Sequence, residues 1–212
     1  MAQRLNHARA CADHGDRARA IEVLHTGLLL TGPTDDTLAL DVATANAAAL
    51  LAEFTVANDD LATALPWAGW AYRSLRRLRG ATSPEARAAL KCLATAQRRS
   101  GNLAAAAHCY SELTHHHSAA EGPRSLPTLA TQATLALVLY QDGHCKRARQ
   151  LLDRTAADHR AAHPGHRDGP RLRHELARMR ASCVDQGHDH PAGTDDPSTD
   201  LPKPLTDRSS PT

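Results

Sequence analysis

The sequence predicts an all-α protein: four helical hairpins stacked in one direction as an α-solenoid, closed by one further C-terminal helix. Three observations carry this. A turn residue recurs at Gly15, Asp59, Gly101 and Gly143, spaced 44, 42 and 42 residues apart, and a repeat of that regularity marks a stacked array. Alanine recurs on both sides of the turn, seven residues before it (Ala8, Ala52, Ala94, Ala136) and five after it (Ala20, Ala64, Ala106, Ala148). The 212-residue chain is 42% hydrophobic but only 3% aromatic. Its apolar content is therefore mostly Ala and Leu, which suits closely packed helices better than sheets.

The first unit, residues 1–34, is predicted to hold helices at about 2–14 and 17–31 around ADHGDRARAIEVL. The second, 35–80, holds helices at about 37–57 and 60–79 around VANDDLATALPWA, with Thr37 as N-cap. The third, 81–122, holds helices at about 84–100 and 103–119, opened by Ser83 as N-cap and Pro84 at the first helical position. The fourth, 123–165, holds helices at about 126–142 and 145–161 around ALVLYQDGHCKRARQLL. Its apolar residues, from Leu135 to Leu139 and on through Ala148, Leu151, Leu152 and Ala156, fall at helical spacings of three and four. A last helix at about 169–186 has the place of a cap, covering the apolar face that the final hairpin would otherwise expose. Cys183 falls in its core column, and Arg180 stands where the other units have Ala. Residues 187–212 carry almost no apolar side chains and five prolines, so they are expected to be a disordered tail.

Within each unit the columns have a physical meaning. A position filled four times by Ala is expected where two helix axes cross closely, at the short end of the usual 8–10 Å range. The position eight before the turn is Leu51, Leu93 and Leu135, with His7 breaking the column. Eight and nine after the turn stand Val23 and Leu24, Trp67 and Ala68, Cys109 and Tyr110, and Leu151 and Leu152. The turn itself needs a left-handed backbone, which Gly accepts freely and Asp less well.

These columns resemble the tetratricopeptide repeat family, with small residues at two close-contact positions, a glycine at the turn and large apolar residues between. The 42-residue period, with LATQATLALVLYQDG and AADHRAAHPGHR, is similar to the longer kinesin-light-chain type found in bacterial proteins. The resemblance covers about residues 1–161. It implies a right-handed solenoid whose first helices line a concave groove that takes a peptide or a partner helix. The predominance of Arg over Lys and the many alanines fit a high-GC bacterial coding bias.

The rest of the composition narrows the function. Twenty-five basic against 23 acidic residues give a net charge of +2, without the strong basic excess expected of a nucleic-acid binder. No apolar run reaches the 18 or so residues of a membrane span. The N-terminus, MAQRLNHARACADHG, has no apolar h-region of a secretory signal. Five cysteines, odd in number and without a CxxC pair, suit a reduced, cytoplasmic setting.

No chemistry-bearing motif stands out. The sequence contains no Gly-rich phosphate loop, GxSxG or HExxH. Cys109 and Cys145 occupy core columns, where a buried thiol is inert. Trp67 and Trp70, which with Tyr72 could form a stacking platform, are expected to be core because Trp67 shares a column with Val23, Cys109 and Leu151. Of the 14 histidines, His115, His116 and His117 are expected to form a solvated helix end rather than a metal site with Cys109, His159 or His163. No cofactor, metal ligand or catalytic residue is expected.

The resemblance places groove residues ten, six, three and two positions before each turn. Among them are Leu5, Arg9, Glu53, Val56, Lys91, Thr95, Arg98, Arg99, Leu137, Tyr140 and Gln141. Lys91, Arg98 and Arg99, with Tyr140 beside them, would give the groove a carboxylate-binding centre, Arg supplying bidentate contacts; solvated residues complementing a helix dipole are the alternative reading. The expected function is a non-enzymatic scaffold that docks a protein or peptide partner carrying acidic groups. The alternative is a sensor or regulatory fragment working with a separately encoded transcription regulator or signalling ATPase. The weakest, uncapped first unit adds an expectation of self-association.

Overall fold

The structure, a computed structural model, describes residues 1–28 and 41–185, with side chains through Ser182. Among these residues there are nine helices and no strand: α1 (Ala2–Asp13), α2 (Arg17–Leu28), α3 (Val42–Ala57), α4 (Leu61–Arg79), α5 (Pro84–Arg99), α6 (Leu103–Glu121), α7 (Leu126–Gln141), α8 (Cys145–Ala162) and α9 (Asp168–Asp185). The end expected of α2 beyond Leu28, the proposed cap Thr37 and the tail 187–212 lie outside the described residues. In place of Thr37, Asp41 caps α3. Its backbone is extended, and its carboxylate accepts from the Thr44 amide at 2.9 Å. Asp60, Ser83 and Ser125 cap α4, α5 and α7 in the same way.

Each helix packs on the next, and the first helices of neighbouring hairpins also pack side by side, α1 on α3 and α3 on α5. No substantial packing joins helices farther apart along the chain. This is the contact pattern of a solenoid, in which a repeat touches only its neighbours.

All eight alanines of the two columns are fully buried. The four turn residues are left-handed, with φ between 64° at Asp59 and 84° at Gly15 and Gly143. A second glycine column, which the repeat alignment overlooks, joins one hairpin to the next. Gly80, Gly122 and Gly165 have φ of 86°, 98° and 82°. At the first two of these joints the glycine carbonyl accepts from the amide of the serine that caps the next helix. At the described joints one hairpin thus ends and the next helix starts at a fixed angle, set by a glycine turn.

The core falls into two large clusters and a small one of Val56, Ala64 and Ala96. One large cluster runs from α1 to Val138 of α7 around Leu24, Leu51, Leu75, Leu90 and Leu113, and includes Trp67 and Trp70, which meet edge to face at 6.2 Å. The other joins α7, α8 and α9 through Ala136, Leu139, Ala148, Leu152, Leu176 and Met179. In α9, Leu176 and Met179 are buried while Arg180 is exposed and reaches Asp153 at 3.4 Å. The alanine column is needed where the second helix of the same hairpin crosses, and no helix follows α9 among the described residues. Cys183, expected in the core, has its side chain outside the described residues.

Candidate functional site

The first helices α1, α3, α5 and α7 carry the residues expected to line a groove. Arg9, Glu53, Lys91, Arg99 and Gln141 are exposed, and Thr95, Arg98, Leu137 and Tyr140 are partly buried. Two of the expected groove contacts are not surface at all. Val56 is only 8% exposed and packs against Ala64 and Ala96. Leu5 is 5% exposed and belongs to the core. Val56 meets both its own hairpin partner and the next hairpin, so close stacking removes it from solvent.

The carboxylate-binding centre is not assembled as the offsets suggest. Arg99 turns back to the preceding repeat, donating to the Val56 carbonyl and, at 2.9 Å, to Asp59. Arg98 turns forward and donates from Nε to Gln141 Oε1 at 2.9 Å. The two guanidinium groups therefore leave the end of α5 in opposite directions along the array. Thr95 donates to the Lys91 carbonyl at 2.8 Å and lies 3.2 Å from the Tyr110 hydroxyl. What remains on this face is a polar strip, with Lys91 and Arg98 its cations on α5.

The histidines of α6 are placed otherwise than expected. His115 is exposed, but His116 is buried and His117 is half-buried. His116 lies 3.4 Å from both Tyr72 and Glu112, and the Tyr72 hydroxyl donates to Glu112 at 2.5 Å. These bonds, with Arg76 at 3.7 Å from Glu112, hold Glu112 below the usual carboxylate range despite its burial. His117 accepts from Arg87 at 2.7 Å, and Arg87 also pairs with Glu121. The tract is thus not a solvated end: two of its three rings stitch α6 to α4 and α5. Its signal was present in the sequence as the repeat length itself. Tyr72 stands 40 and 44 residues from its partners, and Arg98 stands 43 from Gln141.

The thiols behave as core. Cys109 and Cys145 are buried, and burial pushes the Cys109 thiol up to about 11 and that of Cys92 up to about 12. No group of histidines, cysteines or carboxylates among the described residues is arranged to hold a metal ion. No described helix is long and apolar enough to cross a membrane.

A cleft of about 230 Å³ opens between α7, α8 and α9. Leu126, Leu129, Ala133, Leu137 and Leu172 give it apolar walls, and His159 lies at one side. Leu137, expected in the groove, faces this cleft.

The sequence matches no protein-family model and no curated protein. Solved structures do match. The nearly identical TPR-like repeats of a kinesin light chain from Podosopora anserina superpose with a TM-score of 0.72 at 19% identity, covering 88% of each chain. BtubC (BKLC) from P. vanneervenii superposes with a TM-score of 0.57 at 16% identity, covering 95% of each chain. At these identities the likeness speaks of the fold, and it agrees with the turn and alanine columns: the chain folds as a kinesin-light-chain-like array of tetratricopeptide-type repeats.

Proposed function

We propose that this protein is a non-enzymatic scaffold that binds a protein or peptide segment along the face formed by α1, α3, α5 and α7. The observation that carries this reading is the side-by-side packing of α1 on α3 and α3 on α5. Arg9, Glu53 and Lys91 are exposed on these first helices and take no part in the core. An extended or helical segment with acidic side chains suits Lys91 and Arg98, the latter after exchanging Gln141 for a carboxylate, which makes a stronger charge-assisted pair. Arg99 has a structural duty in the turn of the preceding repeat and is not part of the proposed contact.

Self-association through the first hairpin finds no support in its surface. Arg4, Arg9, Arg17 and Arg19 are exposed there, and Leu78 is the one exposed large apolar residue among those described.

The test is affinity capture of partners by the full chain from its host, followed by calorimetric titration of the captured segment against K91E/R98E. A loss of at least about tenfold in affinity, equal to 1.4 kcal/mol, supports the acidic partner. Unchanged affinity overturns it. Capture of a transcription regulator or a signalling ATPase would favour the regulatory alternative.

A further inference from the structure

Three imidazoles meet where α8 hands over to α9. His159 lies in the last turn of α8, His163 is the residue that caps its end, and His166 lies in the following loop. Their ring centroids are 5.7 Å (His159 to His163), 5.4 Å (His159 to His166) and 6.4 Å (His163 to His166) apart. His159 is only 3% exposed, and its Nε2 is buried without a hydrogen-bond partner. The first turn of α9 closes over this ring. A side chain starting at Gly169 would meet His159 Nδ1 at 3.6 Å and Cε1 at 3.7 Å. The start of the capping helix therefore faces the imidazole with about a methyl group of space between them.

Hydrogen bonds tie the two outer rings to neighbouring elements. His166 Nδ1 accepts from the Asp168 amide at 3.4 Å and lies 3.6 Å from the Asp168 carboxylate. His163 Nε2 donates to the Arg124 carbonyl at 2.7 Å. A proton added to His159 Nε2 would find no acceptor in its buried place, and a buried charge without a partner is costly.

We propose that His159, packed against His163 and His166, is a proton-operated latch: neutral, it holds α9 against α7 and α8, and its uptake of a proton in the mildly acidic range releases the helix.

The surrounding charges are of both signs, with the imidazoles outweighing the carboxylate. His163 at the end of α8 and His166 in the loop each oppose a charge on His159. From α9, Asp168 favours one, but it lies 3.6 Å from His166 and is shared with Arg171 at 4.0 Å, and Glu175, which also lines the cleft, is paired with Arg178 at 2.6 Å. Arg173 adds a further cation beside Gly169. From the α6–α7 loop, Arg124 is paired with Asp158 at 3.0 Å. From α7, the cleft beside His159 is lined by leucines, alanines and Thr134, none of them titratable. Burial first, then His166 and His163, hold His159 below the ordinary histidine value of 6.5. Its unfolded form takes the proton first, so docking is full above about pH 6.5 and weakens as pH falls below it. The element at stake is weakly held, since Leu176 and Met179 are the buried apolar side chains among the described residues of α9. Its opening can therefore precede global unfolding. Release exposes the α7 wall of the cleft, Leu129, Ala133 and Leu137. The inference stands on the histidine cluster alone and not on the proposed groove.

Amide hydrogen exchange on the full chain tests it, at about pH 7.5 and about pH 5.5 with rates corrected for intrinsic exchange. Protection over 168–182 should fall by about tenfold or more on acidification, while protection over α3 stays level. His159→Leu, which fills the site with an apolar side chain, should hold α9 protection level between the two conditions, and the pair His163→Gln with His166→Gln, which leaves His159 buried but removes its two neighbouring rings, should lose less protection than wild type. Should His159→Leu fail to dock α9 at all, the glutamine pair decides alone. Wild-type protection that does not change with pH, or an equal loss in the glutamine pair, overturns the latch.

Discussion

Arg99 reaches across a repeat boundary to Asp59, the one non-glycine among the described residues with a positive φ, at 64°. The carboxylate that makes this turn unusual is thus held from the next hairpin, by an arginine that also bonds the Val56 carbonyl in the same turn. Asp59→Gly should leave stability within about 0.5 kcal/mol of wild type. Relief of the left-handed cost offsets the loss of an exposed ion pair and the added freedom of the unfolded chain. Asp59→Ala keeps the backbone cost and loses the pair, so it should destabilise by about 1–2 kcal/mol. Urea titration of the two variants checks the difference.

The alanine columns make a sharper demand. Ala94 is fully buried on α5, whereas Ala88 on the same helix is exposed. Ala94→Leu should overpack the crossing and cost about 1–3 kcal/mol. Ala88→Leu should stay within about 0.5 kcal/mol. Equal effects in thermal denaturation would show that the column has no packing role.

The Tyr72–Glu112–His116 group should leave a mark in acid. Hydrogen bonds from His116 and Tyr72 depress Glu112 from 4.5. A depressed carboxylate contributes stability above its unfolded value that is lost as pH falls through the folded one. Glu112→Gln should therefore be less stable than wild type near pH 7, and the gap should narrow below about pH 4.5. A gap that is constant with pH in urea titrations would contradict this. Tyr72→Phe should cost about 1–2 kcal/mol at neutral pH, because it removes the hydroxyl bonded to Glu112.

Burial of the thiols predicts slow labelling. With Cys109 pushed up to about 11 and Cys92 to about 12, little thiolate exists at neutral pH. Iodoacetamide should modify both far more slowly in the native protein than in urea, read by mass spectrometry of the peptides. Rapid native labelling of Cys109 would reopen a reactive role.

Much of the backbone was legible in the sequence because its signals are local and repeated. A left-handed turn and a helix crossing each demand one small residue type, so Gly15, Gly101 and Gly143 and the eight alanines mark their places. Long side chains are another matter. Arg98 and Arg99 are adjacent in sequence and share a helix end, yet one bonds Gln141 and the other Asp59. Their directions are decided by partners a repeat away, which a column of offsets does not contain. Val56 likewise fits a groove offset, but the neighbouring hairpin covers it. The buried His116 reads in the sequence as part of a solvated helix end for the same reason.

The stacked-hairpin architecture can be tested most directly by removing one hairpin. Gly80 and Gly122 occupy equivalent joints, with φ of 86° and 98°, so deletion of 81–122 rejoins the chain at a matching turn. If each hairpin touches only its neighbours, the shortened protein should keep its helical ellipticity per residue. It should also unfold cooperatively in urea, at a lower midpoint because fewer interfaces remain. Loss of the cooperative transition, with collapse of the helical signal, would contradict a solenoid and the binding face drawn from it.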